Sequence, residues 1–129
     1  MRQGTIQVAV GRIRLDLPGC KSLKEKRSVI RPMVKRLRDR FGVSAAEVGL
    51  GDVWQSSVIA VAAVGGDAAE LDSLLGGVMA FVRRSADAVV VDFGIEIIGV
   101  GEILPATGDG RGDVEGVSSI ERAWLEEDK

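Results

Sequence analysis

Five basic side chains, Lys24, Arg27, Arg31, Lys35 and Arg38, follow one another at spacings of 3, 4, 4 and 3 residues. On a 3.6-residue wheel they fall within about 80° of arc, which makes one basic stripe along one helix. Like charges at such spacings repel by a few tenths of a kcal/mol per pair. Glu25 and Asp39 fall on another side of the wheel and are expected to relieve little of that repulsion. A row of guanidinium and ammonium groups matches a phosphate backbone in charge while reading no base identity. The chemistry this stripe suggests is polyanion binding, with RNA or the ribosome as the expected partner. Two other readings fit the same residues: a merely solvated face, and a dock for a protein or for the chain's own acidic end.

Lys21, just ahead of that helix, and Trp54 with Gln55 in a later loop are accessory candidates. An indole offers a stacking surface and an amide a hydrogen bond. The competing expectation for Trp54 is a ring folded over the core edge with its N–H on a carbonyl. Asp52 beside it reads as a turn cap. Cys20 precedes Lys21 and a helix start, surroundings that lower a thiol pKa. No base stands near it in sequence, so neutral packing is the expected role. Gly-x-Gly patterns at 49–51, 99–101 and 108–112 lack the third Gly or the Lys-Ser/Thr of nucleotide loops. Arg111-Gly-Asp113 reads as chance. With no histidine and one cysteine, His-based triads, His-containing metal sites, Cys clusters and internal disulfides are excluded. No catalytic residue, metal or cofactor is expected, and the chain reads as non-enzymatic.

The elements that must position these residues follow from periodicity. Thr5–Leu17 alternates as a strand, but Ile6, Val8 and Val10 have opposite parity to Ile13, Leu15 and Leu17. A bulge near Gly11 or Arg12 is predicted to restore the phase. Ser22-Leu-Lys-Glu25 is a capping box opening a helix that runs to Phe41, with Gly42 closing it. Leu23, Ile30, Val34, Leu37 and Phe41 form its apolar stripe, and Pro32 on the opposite side is predicted to kink it. Val43–Val48 and Ser57–Val64 read as strands, the second small and apolar on both faces. Asp67 caps a second helix that buries Leu71, Leu74, Leu75, Val78 and Val82. Asp87–Ile98 is the last strand, with Val89, Val91, Phe93, Ile95 and Ile97 expected on one face.

The order β-α-β-β-α-β gives an α+β, ferredoxin-like split βαβ sandwich: a four-stranded antiparallel sheet with two helices on one face. The first and last strands become neighbours, so Arg12 and Arg14 are expected to pair with Asp92 and Glu96 on the open face. Base stacking on the sheet is disfavoured, since the central strands hold no Phe, Tyr or Trp. Either Ala60, Ala62 and Val64 or Ile59, Val61 and Ala63 must face away from the helices. An apolar open face suggests the alternative function, a non-catalytic interaction module or homodimer.

A length of 129 residues suits one domain, here 1–104, followed by a flexible acidic segment over 105–129 with a short helix at 117–127. The net charge of −2 conceals an asymmetry: residues 1–42 hold twelve Lys/Arg against three Asp/Glu, and residues 43–129 hold five against sixteen. Residues 117–128 are expected to visit the basic helix and compete with a polyanion. No apolar run approaches a membrane span and no signal h-region is present, so a cytoplasmic address without membrane partners is expected.

Leu17-Pro18-Gly19, Ser22-Leu-Lys-Glu-Lys-Arg27, Ala46-Glu47-Val48 and Asp52-Val-Trp54-Gln55, taken together, resemble the YlxP-like family of small bacterial proteins, a domain of unknown function. The resemblance covers about residues 4–103. It implies a ferredoxin-like fold and a link to translation and ribosome maturation; it implies no activity, cofactor or catalytic residue.

Overall fold

The computed structural model describes residues 5–102. Its elements are β1 (Thr5–Asp16), α1 (Leu23–Phe41), β2 (Ser44–Gly49), β3 (Ser56–Gly65), α2 (Ala68–Arg83) and β4 (Val89–Glu102). The sheet order is β2-β3-β1-β4, the four-stranded antiparallel arrangement of a ferredoxin-like fold. The expected linker from Pro105, the helix at 117–127 and the docking of that segment lie outside the described residues.

Hydrophobic alternation drives this architecture. Ala9, Ile13 and Leu15 of β1 are fully buried, as are Ile59 and, nearly, Val61 of β3. They share one cluster with Ile30, Val34 and Leu37 of α1 and Leu71, Leu75, Val78 and Val82 of α2. Both helices therefore cover the same side of the sheet. The helix ends carry the chemistry read from the sequence. Ser22 Oγ accepts from Glu25 N at 3.1 Å, and the Glu25 carboxylate accepts from the backbone of Lys21 rather than of Ser22. Gly42 closes α1 at φ 67°, a left-handed conformation that costs glycine nothing. Asp67 accepts from Ala69 N and Glu70 N at the start of α2. Phe41 and Phe81 meet edge to face at 5.7 Å and tie the two helices together.

Two strand expectations need correction. Pairing of β1 with β3 runs unbroken from Gln7↔Gly65 to Asp16↔Ser56, so β1 has no bulge at Gly11 or Arg12. The apolar parity switch has another cause: Ile6, Val8 and Val10 stay on the open face while Ile13 and Leu15 face the helices. Gly11 serves close packing. A Cβ there would lie 2.8 Å from Val61 Cγ2 and 3.3 Å from Leu75 Cδ1. The irregularity lies in β2, between Glu47 and Gly49. In β4, Phe93, Ile95 and Ile97 pack on the core together with Val90, whereas Val89 and Val91 are exposed. The inward set thus shifts by one residue, which an edge strand tolerates because one side has no ladder to keep.

Candidate polyanion-binding site and the loop beside it

Helix α1 buries Lys26, Ile30, Met33, Val34 and Leu37. Lys26 is the unexpected member, with 2% of its surface exposed. Its ammonium donates to the carbonyls of Leu50 at 2.5 Å and Val53 at 2.7 Å, with Gly51 at 3.4 Å. It also pairs with Glu47 Oε2 at 3.0 Å. Ser57 Oγ, fully buried, donates to the same carboxylate at 2.5 Å. Three ammonium hydrogens thus serve a carboxylate and a cluster of carbonyls, which is what lets a charge sit inside a fold. The clamp has a cost to hold against. Leu50 stands at φ 60°, a left-handed conformation that strains a branched side chain. Lys26 grips that residue's own carbonyl.

The clamp assembles the loop that carries Trp54. Gln55 continues it: its backbone carbonyl accepts from Leu17 N at 2.8 Å, and its side-chain amide donates to Cys20 O at 3.4 Å. Trp54 itself is 51% exposed, so the indole is not folded away over the core as the competing expectation had it. The described bonds of Gln55 are structural. The four segments that carry the family resemblance therefore meet around one contact, between the start of α1, β2 and the 50–55 loop.

Between α1, β2 and this loop lies an open groove of about 490 Å³, lined by Arg27, Arg31 and Arg38 with Ile30, Val34 and Ala46 among its apolar residues. The five stripe residues are not equivalent. Among the described residues Lys24, Arg27 and Arg31 make no ion pair, and all are exposed. Lys35 pairs with Asp39 at 2.7 Å, one helical turn on; Asp39 is therefore no bystander, contrary to expectation. Arg38 donates through Nε and Nη2 to the single carbonyl of Ala45, at 2.9 and 2.6 Å. That guanidinium latches α1 to β2. Lys21 is exposed beside the helix start. Glu47 and Asp52 also line the groove; the first is neutralised by Lys26, and the second leaves one negative charge at the rim.

A second basic cleft escaped the sequence reading. Arg36, Arg40 and Arg84 line about 520 Å³ between α1 and the end of α2. The Arg40 guanidinium lies 5.2 Å from the Phe81 ring centre and 5.7 Å from that of Phe41, so it stacks on the aromatic pair. The spacing of Arg36 and Arg40, one turn apart opposite the main stripe, was the available signal.

On the open face Arg12 and Asp92 form the expected cross-strand pair at 3.0 Å; the described ion pairs include neither Arg14 nor Glu96. Cys20 is buried. Burial pushes its thiol pKa up, the nearby Glu25 and Asp87 carboxylates push it further, and Lys26 opposes them. The lowering anticipated from a helix N-terminus does not occur, whereas the packing role does. No helix of the described residues is long and apolar enough to cross a membrane. Among the described residues, no three His, Cys, Asp or Glu stand together as metal ligands would.

A family model described as "Protein of unknown function (DUF503)" matches residues 8–95. A Bacillus subtilis (strain 168) protein described as "Uncharacterized protein YlxP" is 38% identical over 61 residues, which cover 47% of this chain and 66% of that protein. The match thus spans just under two thirds of that relative.

Proposed function

The chain belongs to the DUF503 family of proteins of unknown function, and from that premise we propose that it is a non-enzymatic RNA- or ribosome-associated protein of the cytoplasm. It holds a polyanion along the flank of α1. The observation that carries this reading is the state of Lys24, Arg27 and Arg31: exposed, on one flank of one helix, and without a carboxylate partner among the described residues. Of the other two cations in the stripe, Lys35 is engaged by Asp39 and Arg38 by a carbonyl. Cations left unpaired along a groove release counterions when a phosphate backbone replaces them. Trp54 and Lys21 flank the same helix start as accessory contacts. An interaction role for the open sheet face is independent of this reading, because that face is on the other side of the sheet.

The test is filter retention of ribosomal RNA at low salt by the native chain and by an Arg27→Ala/Arg31→Ala variant. A loss of affinity of ten-fold or more supports the reading. Absence of binding, or equal binding by the variant, contradicts it.

A further inference from the structure

We infer that this chain self-associates through its open sheet face, two copies stacking sheet on sheet about a two-fold axis. The register fixes which side chains lie there. Val8 stands opposite Val64, Val10 opposite Ala62, Arg12 opposite Ala60 and Arg14 opposite Val58. Alternation in β4 adds Ile98 and Val100, both exposed, to the exposed Ile6 and Val10 of β1. Val64 is 73% exposed and lies past the end of β2, whose pairing with β3 stops at Ala62. A contiguous apolar patch of this kind marks an interface.

Size and charge point to a second copy as the occupant. Four strands about 4.8 Å apart give a face roughly 19 Å wide, and Ile6 to Arg14 spans about 27 Å at 3.3 Å per residue. The footprint is about 500 Å² per copy, so two copies bury around 1,000 Å², the lower limit for a specific interface. The face also carries little net charge: Arg12 pairs with Asp92, and Arg14 shares the face with Glu96 and Asp16, with which it forms no ion pair among the described residues. A surface that meets itself must avoid like-charge repulsion. This one does, whereas the flanks of α1 would repel their own copy. The same neutrality and the absence of aromatic rings from β1 and β3 leave nothing for a nucleic acid to grip here. Stacked in this way, the layers run helices, sheet, sheet, helices, and each basic groove faces outward.

Sedimentation velocity of the full chain from about 1 to 100 µM tests this. The mass is expected to double across that range, since an interface near the lower size limit is a modest one. Val10→Lys/Val64→Lys places four like charges in the stacked layer and is expected to weaken association at least ten-fold. Val64→Lys alone, at a site too exposed to disturb the fold, is expected to weaken it several-fold with an unchanged circular dichroism spectrum. Arg27→Ala/Arg31→Ala leaves association intact. A native chain that stays monomeric to 100 µM overturns the inference, and so does a dimer indifferent to both face variants.

Discussion

Replacing Lys26 by methionine keeps most of the side-chain stem and removes the ammonium. The carbonyls of Gly51 and Val53 then lose the ammonium donor, and that of Leu50 keeps only Val53 N–H. Glu47 keeps Ser57 but loses its counter-ion. Removing one partner of a buried pair typically costs about 3–5 kcal/mol, most of it from the charge left behind. The Glu47 side chain is 29% exposed, so water recovers part of its solvation, and about 2–4 kcal/mol is the expected loss. For a domain of this size that corresponds to a fall in Tm of roughly 10–30 °C. Such a loss is a large fraction of the ~5–15 kcal/mol that holds a domain together. Urea denaturation followed by circular dichroism measures it, and amide exchange locates it. Exchange is expected to accelerate first at Val53, whose N–H donates to Leu50 O at 3.0 Å. Lys26→Arg is expected to rescue little, because a planar fork does not replace a compact ammonium among carbonyls. A loss below about 1 kcal/mol for Lys26→Met, with loop exchange unchanged, would refute the clamp.

Gly11→Ala drives a methyl to 2.8 Å from Val61 and is expected to destabilise by about 1–3 kcal/mol through overpacking; a neutral or stabilising result in urea denaturation would mean the α2–sheet contact has slack. Cys20, buried with its thiol pKa raised, is expected to react with iodoacetamide far more slowly at pH 8 than the same thiol does in the urea-unfolded chain; equal rates contradict its burial. The sign of the pH effect follows: the unfolded thiol ionises around the ordinary value of 9.0 while the folded one keeps its proton, so this group's contribution to stability falls as pH rises past that point. Stability of the Cys20→Ala variant measured from pH 8 to 10 should decline less steeply than that of the native chain.

The topology is legible in the sequence because it depends on periodicities of apolar residues that the core enforces. The α1 cap and the Asp67 cap are legible for a local reason: each is made within four residues of chain. What escapes lies between elements. Lys26 sits three residues after Leu23 and four before Ile30, squarely on the apolar stripe, yet a lysine reads as solvated until Glu47 and the Leu50–Val53 carbonyls come to meet it. Ile6, Val8 and Val10 look out of phase only if a strand buries its apolar set on one side. The structure puts apolar residues on both sides, and the parity switch marks the open face rather than a bulge. The basic stripe survives as a stripe but divides by partner: Asp39 claims Lys35 in an i,i+4 pair that the helical spacing already offered, whereas the Ala45 carbonyl that claims Arg38 belongs to β2 and lies beyond any wheel.

The salt dependence of RNA binding reports how many cations of α1 meet phosphates. Three cations that make no ion pair among the described residues, Lys24, Arg27 and Arg31, set the expected slope of log affinity against log salt at about −2 to −3. Equilibrium titrations of fluorescent ribosomal RNA fragments between about 25 and 200 mM salt give that slope for the native chain. For Arg27→Ala/Arg31→Ala the slope should flatten by about 2, while Arg36→Ala/Arg40→Ala on the opposite flank leaves it unchanged. A native slope near zero, or a slope that flattens only with the second variant, would contradict the assignment of the polyanion to this flank of α1.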